Sequence, residues 1–359
     1  MNRRHFIKTT AAAAAAQALP WNRAFATEAW QGYEMTTRVE IVKPRGISRA
    51  WIPLPAVEDN GWNQVIGSSW TGNAARTEIL SDGKYGVSML YAEWQPGVAA
   101  PVVEVTSQVR TRDRAIDFSK PDPAIDLPAA DRAFFTAPSD LIPTDGLVRE
   151  TATRITRGAT TDVEKARAIY EWIVDNTFRD PKVRGCGIGD VRSMLESGSL
   201  GGKCADLNAL FTGLSRSLGI PARDVYGIRV APSRYGYKSL GAGSEDITKA
   251  QHCRCEFFAR GYGWVPVDPA DVRKVVLEEP PGKLAVHDPK VVAARKRLFG
   301  SWEMNWVAFN RGLDVRLPHS NGPELPYLMY VNAETGGERL DQLDPESLGY
   351  GITAWDLKA

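Results

Sequence analysis

One short run of residues, Gly201-Gly202-Lys203-Cys204-Ala205-Asp206, has the composition of a nucleophilic site. Two glycines permit a tight turn directly before a helix, because glycine adopts backbone conformations that other residues avoid. Cys204 is then expected in the first turn of that helix, where the helix dipole and free N–H groups lower the pKa of a thiol. The pattern predicts a thiolate nucleophile, with backbone N–H groups at the same helix end facing the oxyanion of an attacked carbonyl.

A thiolate also needs a partner that protonates the leaving group, and a histidine in this role must be held in one tautomer. His252 lies in a predicted strand, and a return strand after the turn around Gly261 ends at Asp268. A hairpin about Gly261 brings His252 opposite the neighbourhood of Ala270, with Asp268 nearby. In an antiparallel hairpin the residue numbers of every directly opposed pair have the same sum. If that sum is even, His252 and Asp268 lie on the same face of the hairpin. His252 and Asp268 are therefore the candidate partners of Cys204.

These residues resemble the bacterial transglutaminase-like superfamily, over roughly residues 140 to 290 and more weakly toward the C-terminus. The resemblance implies a papain-like α+β core. It also implies a triad in which Cys204 is the nucleophile, His252 the general base and acid, and Asp268 the residue that orients the imidazole. The matching segments are Gly202-Lys203-Cys204-Ala205-Asp206, the run from Leu214 to Arg223, a histidine on a later strand, and the run from Tyr262 to Pro269.

The sequence departs from this family at His252-Cys253-Arg254-Cys255-Glu256, where members more often place small, aromatic or aliphatic residues between the histidine and the glutamate. With Cys186, these thiols and the imidazole could be zinc ligands. A one-residue gap on a strand, however, places two sulfurs about 7 Å apart along one face, whereas chelating cysteine pairs are usually separated by two to four residues in a turn. We therefore predict no metal site.

For the same reason Cys253 and Cys255 are not expected to bridge each other, although either could pair with Cys186. At least one of these three thiols is then unpaired within a monomer. The chain also lacks a phosphate-cradling glycine motif and a dinucleotide fingerprint, so we expect no organic cofactor.

The N-terminal segment, residues 1–26, contains four basic side chains and no acidic one. Arg3-Arg4 is followed by Phe6-Ile7-Lys8, an alanine-rich run from Ala11 to Leu19, and Ala24-Phe25-Ala26. These are the basic region, apolar region and cleavage site of a signal peptide, and the paired arginines resemble a bacterial twin-arginine signal. A membrane anchor is the alternative, but the apolar run is shorter than the roughly 20 residues that a bilayer requires. We predict cleavage near Thr27 and a periplasmic or secreted mature protein without a membrane span.

The overall charge argues against a nucleic-acid partner. The 359 residues include 44 Lys and Arg against 43 Asp and Glu, for a net charge of +1, and loss of the four basic residues of the signal leaves a mildly acidic protein. Such a balance gives no bulk attraction to nucleic acid or anionic membrane. A composition that is 43% hydrophobic and 24% charged is typical of a globular protein. A protein or peptide substrate is the expected partner.

The hydrophobic periodicity divides the chain into two parts. From Tyr33 to about Arg112 apolar residues alternate with period two, which predicts an antiparallel β-sandwich over residues 30–118. The stretch from Lys120 to Pro128 is typical of a loop between domains. Past Leu141 the period becomes 3.6, which indicates helices.

The second part is predicted to mix helices and strands. Thr161 and Glu164 have the spacing of a capping box, and a helix that begins near Cys204 ends before Gly219. The fold class is therefore α+β, with the sandwich followed by a transglutaminase-like (papain-like) domain over residues 135–345. The remaining C-terminal residues, from 290 to 359, are expected to complete that second domain. Strands return over residues 224–230, 251–258 and 263–267.

Together these features favour an exported cysteine enzyme that forms a thioester at Cys204 from an amide or peptide. Transfer of the acyl group to water would make it a protease or amidase, and transfer to an amine would make it a protein-crosslinking transglutaminase. Hydrolysis ranks slightly first, because bacterial members of the resembled superfamily are often suspected to be peptidases. A non-catalytic binding module with a blocked cleft, or with Cys204 in a disulfide, is the alternative from another class.

Overall fold

The computed structural model describes residues 29–59 and 61–357. Most of its strand pairs are antiparallel. Strands are the first and last elements of the described chain, and the helices lie between them in sequence. The strands are β1 (Gln31–Glu40), β2 (Ser48–Pro53), β3 (Asn63–Gly72), β4 (Arg76–Ser81), β5 (Ser88–Trp94), β6 (Val102–Thr111), β7 (Arg114–Ala115), β8 (Phe178–Arg179), β9 (Gly201–Gly202), β10 (Ala222–Arg229), β11 (Gln251–Ala259), β12 (Gly263–Val267), β13 (Ser301–Trp302), β14 (Trp306–Asn310), β15 (Asn332–Thr335), β16 (Glu338–Arg339) and β17 (Gly349–Asp356). The helices are α1 (Ala129–Thr136), α2 (Gly146–Ile155), α3 (Asp162–Asn176), α4 (Val191–Ser197), α5 (Cys204–Ser217), α6 (Pro269–Glu278) and α7 (Pro289–Arg297).

The N-terminal strands form two facing antiparallel sheets, as the period-two pattern predicts. One sheet has the order β17-β1-β6-β3 and the other β16-β15-β2-β5-β4. Alternate residues of these strands, such as Val39, Leu90 and Trp94, are fully buried in one cluster between the sheets. Burial of one face of each sheet is the driving force for a sandwich. The predicted fold class, a β-sandwich joined to an α+β domain, is confirmed.

Residues 290 to 359, which were expected to complete the second domain, are divided between the two domains. Val291, Ala294 and Phe299 lie in the core of the second domain, whereas β15 and β17 pair with strands of the sandwich. β17 pairs antiparallel with β1, from Tyr33 opposite Asp356 to Glu40 opposite Gly349. β15 pairs with β2 in the other sheet of the sandwich. Among the C-terminal strands in residues 290–357, which the structure describes, only β14 joins the sheet of the second domain, beside β10. An alternating strand carries no local signal for the partner it joins, so this long-range pairing is invisible to periodicity.

The second domain is a sheet of order β12-β11-β10-β14 with helices packed against it. Helix α5 is buried along its whole length, and its Phe211 ring lies 6.0 Å from that of Phe257 on β11. The predicted capping box of Thr161 and Glu164 is present at the start of α3. Beyond α5, Gly219 has a φ of +76°, a left-handed conformation that favours glycine and ends the helix.

The predicted signal peptide and its cleavage site near Thr27 lie outside the described residues. Within the part of the chain that the structure describes, no helix is both long and apolar enough to cross a bilayer.

Candidate active site

Cys204 is the first residue of α5, and its side chain is only 3% exposed. The preceding glycines do not form the expected tight turn; they form the short strand β9, which pairs in parallel with β8. Glycine is required here because of close packing. A Cβ at Gly202 would lie 2.5 Å from the Cβ of Asp206, and one at Gly201 would lie 2.3 Å from the Phe178 ring. The glycines thus let the chain approach the helix end closely enough to place Cys204 there.

The carboxylate of Asp206 anchors the start of α5 to a neighbouring loop. It accepts hydrogen bonds from the backbone N–H of Lys203 at 2.9 Å, Ile188 at 3.1 Å and Gly189 at 3.0 Å. In addition, the N–H of Ala205 donates to the carbonyl of Cys186 at 2.9 Å. These bonds hold Cys186 beside Cys204, an arrangement of residues distant in sequence that the sequence pattern did not reveal.

His252 and Asp268 lie together as the hairpin predicts. Cys255 pairs with Val267 and Ala259 with Gly263 between β11 and β12, so the sum of paired numbers is even. The Nε2 atom of His252 lies 2.7 Å from Oδ2 of Asp268. Cys204 and His252 line the same cleft, and His252 is one of the groups that lower the pKa of the Cys204 thiol. The structure therefore brings the three predicted site residues together, with Asp268 bonded to the imidazole and Cys204 beside it.

Asp268 has a second structural role at the end of the hairpin. It is the N-cap of α6, where its Oδ1 accepts from the N–H of Asp271 at 3.0 Å. Asn208 on α5 donates to the same oxygen at 3.4 Å and to the carbonyl of Cys253 at 2.9 Å. The carboxylate is fixed from two elements, so its orientation does not depend on His252.

Two charged residues that sequence reasoning missed complete the environment of the imidazole. Asp271 lies 3.4 Å from Nε2 of His252, and Arg229 at the end of β10 lies 2.6 Å from the same Asp271 oxygen. Both members of this ion pair are buried. Asp271 is one helical turn after Asp268, a spacing that could have drawn attention to it. Arg229 reaches the site only through the pairing of β10 with β11.

The electrostatics favour a thiolate paired with an imidazolium. Hydrogen bonds from Cys186 and Cys253 and the neighbouring His252 hold the pKa of the Cys204 thiol well below its ordinary value, against the effect of burial. Burial and the Arg229 charge lower the pKa of His252, but the Asp271 and Asp268 carboxylates outweigh them and leave it raised. Opposite shifts of this kind in neighbouring groups are typical of functional sites.

The two carboxylates differ in their preferred charge. Burial and the Asp271 charge raise the pKa of Asp268. Burial alone would also raise the pKa of Asp271, but Arg229 and His252 hold it well below its ordinary value. Asp271 therefore stays ionised, and it supplies part of the negative charge that favours protonated His252.

A metal ion is poorly suited to this cluster. One donor atom each from His252, Asp268 and Asp271 lies within 4.8 Å of the others. Two guanidinium groups already approach the carboxylates, Arg229 at 2.6 Å from Asp271 and Arg254 at 3.9 Å from Asp268. Buried cations at these distances oppose a further positive charge. The same carboxylate oxygens are used to orient the imidazole.

All four cysteines are free and buried. Cys253 and Cys255 are not bridged, as predicted from their spacing, and neither pairs with Cys186. The thiol of Cys255 lies 3.7 Å from the carbonyl of Val267, and burial holds its pKa well above the ordinary value. Cys204 alone combines a lowered pKa with a position on an open cleft.

We expect Cys186→Ala to raise the pKa of Cys204, because the variant removes the hydrogen bond that contributes most to stabilising the thiolate. The pH midpoint of Cys204 alkylation by iodoacetamide should move to higher pH. Cys255→Ala is the matched control, since it deletes another buried thiol that is not among the groups that lower the pKa of Cys204, and it should leave the midpoint in place. Equal midpoints for Cys186→Ala and the unmodified protein would contradict the assigned hydrogen bond.

Cys204 and His252 line a cleft of about 610 Å³. Its walls include the loop that carries Cys186, the segment before β11, and Leu348 and Tyr350 near the C-terminus. Tyr350 belongs to β17, so the sandwich contributes to one wall. The cleft is large enough for a peptide segment, and it reaches both reacting side chains.

Comparison with known proteins agrees with this geometry. Residues 149–269 match the transglutaminase-like superfamily, and residues 1–20 match the signal sequence of the twin-arginine translocation pathway. An uncharacterized protein of Haemophilus influenzae is 37% identical over 344 residues, which cover 90% of this chain and 91% of that protein.

Two solved structures are similar at low sequence identity. A candidate cysteine protease from Cytophaga hutchinsonii has a TM-score of 0.51 at 15% identity, over 91% of this chain and 99% of that one, which is a likeness of fold. The periplasmic domain of TgpA from Pseudomonas aeruginosa has a TM-score of 0.32 at 16% identity, over 65% of this chain and 90% of that one. Residues 149–269 therefore form a transglutaminase-like domain, and the chain carries a twin-arginine signal sequence that indicates export.

Proposed function

We propose that the protein is an exported cysteine enzyme that cleaves amide bonds through a thioester on Cys204. The observation that carries this proposal is the grouping of three side chains at the cleft. Cys204, a thiol with a lowered pKa, lines the same cleft as His252, whose Nε2 lies 2.7 Å from Asp268. A nucleophile, an acid–base group and an orienting carboxylate in this order are the requirements for acyl transfer.

In the first step the Cys204 thiolate attacks the carbonyl carbon of the substrate, and the electron pair of the C=O bond moves to oxygen. The N–H of Ala205 already donates to Cys186, so the N–H of Cys204 at the start of α5 is the candidate donor to this oxyanion. A backbone donor aimed at a developing negative charge stabilises the transition state without reorganisation.

In the second step the tetrahedral intermediate collapses, the C–N bond breaks, and imidazolium His252 transfers its Nδ1 proton to the departing amine. The acyl group is left as a thioester on Cys204, and His252 is now neutral. It then accepts a proton from the attacking water, and the acid is released as the thiolate and imidazolium form again. Asp268 keeps Nε2 protonated throughout, so that Nδ1 always faces the reacting atoms.

An amine could replace water in the deacylation step, which would make the protein a transglutaminase. The same residues serve both reactions, and the difference lies in which acceptor reaches the thioester. Hydrolysis is the first choice because water enters any open cleft. A non-catalytic module is disfavoured, since Cys204 is free and lines the cleft.

The test is incubation of the mature protein with a mixed peptide library and cadaverine, followed by mass spectrometry. We expect cleaved peptides that are absent when Cys204→Ala replaces the enzyme. Cadaverine adducts without cleavage would assign the transferase reaction instead. Products that the Cys204→Ala variant forms equally well would overturn the proposed role of Cys204.

A further inference from the structure

The charge of the residues that line the cleft is strongly one-sided. Among the described residues, six cationic side chains line it, and Asp246 is the one carboxylate that does. The mature chain as a whole is mildly acidic, so this positive surface is a local feature and does not follow from composition. The cationic residues are Arg179, Arg184, Lys203, Arg229, Lys249 and Lys274.

Four of the six cations are neutralised by carboxylates that do not line the cleft. Arg229 is paired with Asp271 at 2.6 Å and Arg184 with Asp341 at 2.9 Å. The remaining two share a single carboxylate: Glu278 contacts Arg179 and lies 3.8 Å from Lys274. One glutamate therefore balances two cations at this wall.

The ammonium groups of Lys203 and Lys249 form no salt bridge with a carboxylate in the part of the chain that the structure describes. Lys203 is half-buried and directly precedes Cys204, and Lys249 is exposed three residues before His252. Asp246 lies on the same rim as Lys249, where it accepts from the N–H of Thr248 at 2.9 Å. An ammonium group without a salt bridge thus precedes each of the two reacting residues in sequence, and of these two only Lys249 has a cleft carboxylate, Asp246, close enough to interact with its charge.

Charges of one sign in a cleft with low-dielectric walls attract ligands of the opposite sign more strongly than charges on an open surface. We propose that the acyl donor is anionic: a peptide with at least one carboxylate close to the attacked amide, bound by Lys203 and Lys249. This inference rests on the proposed function, since it concerns the substrate of the same site. Lys203 and Lys249 are then specificity-determining residues, and neither takes part in bond making or breaking.

The first test compares two alkylating reagents of similar size, anionic iodoacetate and neutral iodoacetamide. Both react with the same Cys204 thiolate, so the ratio of their rate constants at one pH cancels any change in the pKa of the thiol. We expect Lys203→Gln combined with Lys249→Gln to lower the iodoacetate to iodoacetamide ratio by about threefold or more. The ratio in the unmodified protein should also fall as salt is added, because salt screens exposed charges.

Lys43→Gln is the matched control. It removes one exposed lysine that lines a separate depression in the sandwich, and it should leave the reagent ratio unchanged. A ratio that is the same in the double lysine variant and in the unmodified protein would overturn the inference. If neither reagent modified Cys204 in the unmodified protein, the proposed function would fail, and the inference with it.

The second test uses peptides as competitors. N-acetylated and C-amidated tri-glutamate and tri-glutamine differ in charge but hardly in shape. Tri-glutamate should protect Cys204 from iodoacetamide at concentrations where tri-glutamine does not, and the double lysine variant should lose this difference. Equal protection by the two peptides would contradict an anionic substrate while leaving the thioester chemistry intact.

Discussion

Replacement of His252 by alanine is expected to slow the alkylation of Cys204 by iodoacetamide at pH 6 by about a hundredfold or more. In the unmodified protein the imidazolium helps to keep Cys204 as a thiolate. Without it, burial opposes the thiolate and only the Cys186 and Cys253 donors still favour it, so the pKa of the thiol should rise toward the ordinary range of about 8.5. A pKa about two units above pH 6 would lower the ionised fraction at pH 6 about a hundredfold. The measurement is the loss of Cys204 thiol against time, followed by peptide mapping.

The appropriate control for this result is His287→Ala. His287 is exposed and lies outside the cleft lining, so its loss should leave the rate unchanged. Alkylation of His252→Ala at the rate of the unmodified protein would show that the helix end and the neighbouring thiols suffice to ionise Cys204. The proposed acid–base partnership would then be wrong.

The second large effect concerns stability. Arg229→Met is expected to lower the free energy of unfolding by about 3–5 kcal/mol, because it leaves the buried Asp271 carboxylate without its guanidinium partner. The double variant Arg229→Met with Asp271→Leu removes both charges and should recover much of this loss. Urea unfolding of the three proteins, followed by tryptophan fluorescence, measures the difference.

The same pair of variants separates stability from site chemistry. If Arg229→Met were as stable as the double variant, the buried Asp271 carboxylate would not destabilise the protein when it lacks its guanidinium partner. That result would contradict the predicted loss of stability. In the double variant His252 loses both the Arg229 charge, which lowers its pKa, and the Asp271 charge, which raises it. These two changes oppose each other, so the double variant should not lose the imidazolium at a lower pH. In Arg229→Met only the lowering charge is gone, so the pKa of His252 should rise and the imidazolium should persist to a higher pH than in the unmodified protein.

The parts of the site that lie close together in sequence were predictable. The position of Cys204 follows from a glycine pair, a helical stripe and a terminating glycine, all within about one helix of sequence. The contact of His252 with Asp268 follows from a hairpin with a short turn, because such a turn leaves few possible registers. Local geometry is sufficient in both cases.

The parts that depend on long-range packing were not predictable. Arg229 reaches Asp271 only because β10 is the inner neighbour of β11, and Cys186 reaches Cys204 only through a loop held by Asp206. In the same way β17 completes a sheet that β1 began more than three hundred residues earlier. In each case the pairing partner is chosen by burial in the folded chain, and no residue spacing encodes it.

The expected glycine turn before α5 illustrates a related limit. Gly201 and Gly202 were expected for their conformational freedom, but the structure uses their lack of a side chain. Sequence shows that glycine is present, whereas only the packing shows which of its two properties is needed. The prediction placed Cys204 at the helix start for a partly different reason from the one the structure shows.

The most direct test of the central claim is detection of the thioester itself. The mature protein is mixed with the peptide library, quenched in acid within seconds, digested and analysed by mass spectrometry. We predict an acyl group on the peptide that contains Cys204, which neutral hydroxylamine removes. Peptide cleavage with no acyl group on Cys204 in the quenched samples, or an acyl group attached to another residue, would contradict the account.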